Sequence, residues 1–146
     1  MSKRTVNIMT IYENAAKEAI KMYRDGSSLD LEEIWENAVS KFTTSKNSII
    51  KGCPKGAFLG LCEEGLINGI PAGCYTRNSG KQMNKMYALT AVELLESSPN
   101  EIFNEMDLWR QVLDNLDYEY KQPQDQMKIV LVLWNNQLIN RNMTVH

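Results

Sequence analysis

The sequence predicts a mainly α fold: a compact bundle of five to seven helices, with one long Gly-rich loop or short hairpin near residues 65–82. Two observations carry that expectation. Apolar side chains recur at three- and four-residue spacing in successive segments, which puts them on one face of a helix. Helix-start signals stand at the heads of four such segments, at Asp30, Pro54, Asn84 and Ser98-Pro99. With 146 residues, 43% hydrophobic and 23% charged, the chain reads as one domain spanning 1–146. A domain of that length buries roughly 68–70% of the surface its unfolded chain exposes, enough to fold without a metal or a disulfide.

The first helix is expected over about residues 6–25. Val6, Met9, Tyr12, Ala16, Ala19, Ile20 and Tyr23 form its stripe, and Asp25-Gly26 ends it. Asp30 opens the second as half of a capping box with Glu33, ahead of Leu31, Ile34, Trp35, Ala38, Val39 and Phe42. Thr43 to Asn47 is polar and reads as a loop. Pro54 suits the first position of a third helix, because its missing N–H would have had no partner there. Ala57, Phe58, Leu61 and Cys62 give that helix its buried face; Gly65 ends it, with Leu66 folding back over the last turn.

Residues 65–82, GLINGIPAGCYTRNSGKQ, hold four glycines and form the longest non-helical stretch. Asn84 is expected to cap a fourth helix carrying Tyr87, Ala88, Ala91, Leu94 and Leu95. Ser98-Pro99-Asn100-Glu101 reads as a capping box heading a short helix, with Asp107 restarting it before Leu108, Trp109, Val112 and Leu113. Tyr118 to Pro123 is a loop. The last helix, about 125–136, is apolar nearly all round, which places it in the middle of the fold. The expected core is Trp35, Phe58, Leu61, Leu89, Val92, Trp109, Val130, Leu133 and Trp134. FLGLCEEGLIN (58–68) also aligns without gaps on VLVLWNNQLIN (130–140). Two core helices that end alike explain this; the sharper reading is a pseudo-symmetric pair of helical units.

The net charge of -2 conceals a strong asymmetry. Residues 41–85 carry seven basic side chains against Glu63 and Glu64, whereas residues 86–146 carry nine acidic and four basic. Such a division marks either an anion-binding face or segments that pack with complementary charge, and the second is favoured. Cys53, Cys62 and Cys74 form neither a disulfide framework nor a CxxC pair, and the single histidine is the last residue, His146, so no metal site is expected. The longest apolar run, Ile129 to Trp134, is far shorter than the ~20 residues of a membrane span. Nothing of signal-peptide length follows Met1-Ser2-Lys3-Arg4. A cytoplasmic protein without membrane contact is the expectation.

Catalysis is weakly supported. The one histidine is terminal, and there is no Gly-x-Ser-x-Gly elbow, phosphate loop or GxGxxG. No cofactor is expected. Glu63 and Glu64, neighbours on a helix end, read as surface solvation. A winged-helix-like nucleic-acid module would use Lys51, Lys55, Arg77, Lys81 and Lys85 on phosphates. Its would-be recognition helix, however, offers Gly56, Gly60, Glu63 and Glu64 where base-reading side chains should stand.

Three stretches resemble a known pattern: CPKGAFLGLCEEGLINGIPAGCYTRN, then NKMYALTAVELL, then DLWRQVL followed by DQMKIVLVLWNNQLI. From Cys53 to Ile139 the chain resembles a small bacterial domain family catalogued only as a domain of unknown function. Gln137 departs from the pattern, standing where an Ala-Gly or Glu-Gly helix end is expected. The resemblance implies a helical domain and brings no catalytic residues.

The leading expectation is therefore a non-enzymatic interaction or regulatory domain. Its partner would be a protein rather than a nucleic acid, met through an apolar patch near Tyr118 and Tyr120 or near Met83 to Tyr87. Self-association is left open. The alternatives are the nucleic-acid module and a small-molecule- or anion-binding enzyme. Any anion site is expected in the loop 68–87, from Tyr75, Thr76, Arg77, Lys81, Asn84 and Lys85. Glycine lets backbone N–H groups approach a ligand there, and the residues supply donors suited to phosphate or carboxylate.

Overall fold

The computed structural model of the chain describes residues 10–76 and 82–140. Among them run seven α-helices: α1 (Ile11–Arg24), α2 (Leu31–Ser40), α3 (Lys46–Ile50), α4 (Gly52–Glu63), α5 (Met83–Ser97), α6 (Glu105–Asn115) and α7 (Gln126–Asn135). The fold is a mainly α bundle, as the stripes predict. Val6 and Met9, expected in the first helix, lie outside the described residues.

Local capping chemistry sets most boundaries. Thr10 and Asp30 each accept the N–H of the residue three positions on, and Glu13 and Glu33 reach back to the cap N–H. Several starts differ from expectation. Ser45 accepts the N–H of Ser48 and nucleates α3 inside the segment expected to be a loop. Pro54 is the third residue of α4 rather than the first, still within the turn whose N–H groups have no helical partner. Ser98 to Glu101 forms a turn, not a helix start; α6 begins instead at Glu105, where Asn104 accepts the N–H of Asp107 at 2.8 Å. The cap beside the apolar stripe of Leu108 and Trp109 prevails, because it lets the first turn bury that face.

The buried side chains form one cluster, with Trp35, Trp109, Phe58, Leu61 and Met127 fully enclosed. Trp35 stacks on Phe58 at 5.0 Å, and Tyr87 meets Trp109 edge-on at 4.9 Å. α7 packs against α1, α4, α5 and α6, the central place its apolar girth requires. Four expected packing residues fall short, Tyr23 and Leu94 among them as partly buried. Leu89 is only partly buried, because Tyr87, Ala88 and Ala91 occupy the inward face of α5. Phe42 lies beyond the end of α2 and is 41% exposed.

α4 and α7 end identically. Leu66 N–H reaches the Leu61 carbonyl and Gly65 N–H the Cys62 carbonyl; Leu138 reaches Leu133 and Gln137 reaches Trp134 in the same pattern. The residue after each cap is left-handed, Gly65 at φ +73° and Gln137 at φ +57°. Gln137 thus performs the glycine's role despite its side chain. The Leu-Ile-Asn tails that follow pair antiparallel through Ile67 and Ile139. Asn68 N–H donates to the Leu138 carbonyl at 2.9 Å, and Asn140 N–H to the Leu66 carbonyl at 2.7 Å. The residues 65–70 therefore pair with the far end of the chain, not in a local hairpin.

Gln137→Gly is expected to relieve the left-handed strain and stabilise the fold by about 1 kcal/mol. That raises the melting temperature by roughly 2–4 °C in a chain of this size. A lower melting temperature would show that the Gln137 side chain contributes more than its backbone costs.

Candidate functional site

A cavity of about 380 Å³ opens between α2, α4 and α5. The first turn of α4 contributes Gly52, Cys53 and Lys55, and the start of α5 contributes Asn84 and Lys85. Thr76 closes one side from the loop, and Glu32 lies on the wall formed by α2.

Two glycines let α5 approach α4 closely enough to form this site. A Cβ on Gly60 would sit 2.5 Å from Lys85 Cβ and 2.8 Å from Lys85 Cα; one on Gly56 would sit 3.0 Å from Asn84 Cβ. The two helices that open on the cavity have no side-chain cap and no acidic residue in their first turns. α1, α2, α3 and α6 all have such caps. α7, also without one, begins beside them: Gln126 Nε2 donates to Asn84 Oδ1 at 3.0 Å. Asn84, expected to cap the fourth helix, is instead its second residue and spends its side chain on that contact.

Lys55 Nζ lies 2.8 Å from Glu36 and 3.1 Å from Glu32. Burial pulls its pKa down, but the two carboxylates outweigh that and hold it above the ordinary lysine value. Lys85 Nζ lies 3.0 Å from both Glu63 and Glu64. The expectation that Glu63 and Glu64 are merely solvated is corrected for Glu63, while Glu64 is exposed. Glu63 is 9% exposed, and its Oε2 accepts the N–H groups of Tyr75 and Thr76 at 2.9 and 2.8 Å while Oε1 meets Lys85. Glu64 is the residue just past the helix, so the 100° offset of helical neighbours does not keep the pair from sharing a lysine.

Of the six residues expected to form an anion site, Thr76, Asn84 and Lys85 line the cavity. Tyr75 packs partly buried against the core and donates its hydroxyl to the Pro71 carbonyl. Arg77 and Lys81 lie outside the described residues. The sequence places Lys55 only in the nucleic-acid reading, and gives Glu32 and Cys53 no part in a site. Their approach depends on how α2 meets α4, which no local motif reports.

The basic segment is largely neutralised. Lys41 pairs with Glu18, Lys51 with Asp125, Lys55 with Glu32 and Glu36, and Lys85 with Glu63 and Glu64. Tyr118, Tyr120 and Met86 are exposed, whereas Tyr87 is buried. Among the described residues no helix is long and apolar enough to cross a membrane, and no three His, Cys, Asp or Glu residues cluster to hold a metal ion.

A family model matches residues 9–140, nearly the whole chain, and its description is a family of unknown function, DUF6979. The chain belongs to that family. No curated protein and no solved structure matches it.

Proposed function

We propose that this family member is a non-catalytic regulatory module that binds a small molecule through an anionic group at the α2–α4–α5 cavity. The carrying observation is that the two helices whose first turns line the cavity lack both side-chain caps and first-turn acids. First-turn N–H groups that have no partner within their own helix and the positive ends of two helix dipoles therefore stand beside the same space. Phosphate and carboxylate groups are stabilised by that arrangement. Lys55 and Lys85 stand on the walls, each paired with two glutamates that an anion reaching it would have to displace, and the volume falls within the range of small-molecule sites. Among the described residues neither a histidine nor a nucleophile–base pair lines the cavity, and the reading is binding rather than turnover.

Thermal-shift titration with inorganic phosphate, citrate and AMP tests this. A ligand at 100 times its dissociation constant stabilises by about 2.7 kcal/mol, a rise of roughly 5–10 °C here. Lys55→Ala is expected to abolish the rise, and Lys41→Ala, which removes a lysine paired with Glu18 away from the cavity, to leave it intact. No rise with any probe, or an equal rise in Lys55→Ala, rejects the site.

A second reading, a protein-docking surface, is favoured by the exposure of Tyr118, Tyr120 and Met86. The ion pairing of Lys41, Lys51, Lys55 and Lys85 weighs against nucleic acid, since phosphates would have to displace carboxylates already in contact.

A further inference from the structure

We infer that the chain is an internal duplication: residues 10–68 and 85–140 are two copies of one helical unit related by a pseudo-two-fold axis through the Ile67–Ile139 pairing. An antiparallel bridge has local two-fold symmetry by construction. Here the symmetry extends well beyond it. Asn68 Nδ2 donates to the Gln137 carbonyl at 2.8 Å, and Asn140 Nδ2 to the Gly65 carbonyl at 3.0 Å. Each asparagine thus reaches the left-handed residue just past the cap of the other unit's last helix.

The correspondence runs through the preceding helices at a nearly constant offset. Tyr12 and Tyr87 stand 75 positions apart, Trp35 and Trp109 74, and Ile67 and Ile139 72. All six are buried. In each unit the tyrosine ring meets the tryptophan ring, stacked at 6.3 Å in the first and edge-on at 4.9 Å in the second. In each, a lysine from the connection before the last helix lies over the tyrosine, Lys51 over Tyr12 at 5.7 Å and Lys121 over Tyr87 at 5.4 Å. The N-caps Asp30 and Asn104 each precede their tryptophan by five residues. Ile34-Trp35-x-x-Ala38-Val39 matches Leu108-Trp109-x-x-Val112-Leu113, every named residue buried.

Helix packing obeys the same operation. α1 packs on α2 as α5 on α6, α2 on α4 as α6 on α7, and α5 on α4 as α1 on α7. The copies have diverged in that α3 belongs to the first unit alone and α5 also packs on α7. The cavity is a further difference. Gly56, on the cavity wall, aligns with Lys128, which is tied to Glu105 at 2.6 Å, and Lys55 aligns with the buried Met127. The duplication is independent of what the cavity binds.

The symmetry makes a demand that chance similarity does not. The link from Asn68 to Lys85 is 16 residues long, and two-fold symmetry makes the span from Asn140 to Thr10 equivalent. Residues 141–146 and 1–9 together supply 15. A circular permutant opened between Gly80 and Lys81, with His146 joined directly to Met1, is expected to keep the helical circular dichroism and a cooperative thermal transition. Asn68→Ala and Asn140→Ala in the parent chain are expected to lower the melting temperature equally, within about 2 °C, since one degree-scale shift reflects a fraction of a kcal/mol. In sequences of other family members, the two halves aligned on each other are expected to score above shuffled controls. A permutant that fails to fold, clearly unequal asparagine effects, or halves no more alike than shuffled sequence would each overturn the duplication.

Discussion

Trp109→Ala is expected to lower the unfolding free energy by about 3–5 kcal/mol, the range for truncating a large buried aromatic. Trp109, on α6, is fully enclosed, and Tyr87 of α5 lies edge-on against it at 4.9 Å. Its Nε1 donates to the Lys121 carbonyl at 2.6 Å, tying the connection before α7 to the core. Alanine loses the apolar contact, opens a cavity and leaves that carbonyl without its donor. Trp109→Phe separates these effects, since it keeps most of the ring area but still orphans the carbonyl. Trp35 supplies the contrast: it is equally buried, yet its Nε1 has no partner among the described residues. Trp35→Phe is therefore expected to cost less than Trp109→Phe. Urea unfolding monitored by circular dichroism measures all three. A loss below 1 kcal/mol for Trp109→Ala would show that Trp109 does not hold the halves of the second unit together.

The second large effect is expected at Glu63. Glu63→Ala removes the acceptor of the Tyr75 and Thr76 N–H groups and the partner of Lys85. Each partly buried donor left unpaired costs about 1–3 kcal/mol, so a combined loss of roughly 2–4 kcal/mol is expected once water reaches part of the loop. Glu63→Gln keeps one acceptor oxygen and should fall between. The pH dependence has a definite sign. Burial pushes the Glu63 carboxyl up, but the Thr76 amide, the Lys85 ammonium and the Tyr75 amide outweigh it and hold it below the ordinary glutamate value. Its contribution is therefore present above the unfolded value, about 4.3, and is lost as the pH falls through the lower folded value. The gap in stability between the parent and Glu63→Ala should be constant near neutrality and narrow on acidification below that point. A gap that widens in acid would contradict the hydrogen-bonded geometry. Hydrogen exchange at the Tyr75 and Thr76 amides offers a direct check, with protection falling in Glu63→Ala while α2 and α6 keep theirs.

The cavity was half legible before any coordinates. Thr76, Asn84 and Lys85 were recognisable as donors beside a glycine-rich loop and a helix start, and they do line it. Arg77 and Lys81 were chosen for the same reason and lie outside the described residues. Lys55 and Glu32 were missed as site residues, because they meet only through the packing of α2 on α4. Glu63 gives no local sign of its burial, because a glutamate near a helix end is usually solvated. Its burial follows from the loop folding back over it, with the Gly73 N–H also bonded to its carbonyl.

What the sequence determined by itself was decided within a few residues. The Asp30–Glu33 box, the end of α4 at Gly65 with Leu66 folded over it, and the central place of the apolar last helix all follow from backbone hydrogen bonding and periodicity. The tertiary structure alone decided the rest. Gly60 reads as an ordinary helix glycine until α5 lies against it. Gln137 shows no glycine signal, yet is held left-handed because Leu138 and Asn140 are already bonded to Leu133 and Leu66. The repeated Leu-Ile-Asn was visible as a string, but its meaning lay in the two copies pairing with each other 72 residues apart, a contact whose stability comes from the core it closes rather than from either segment.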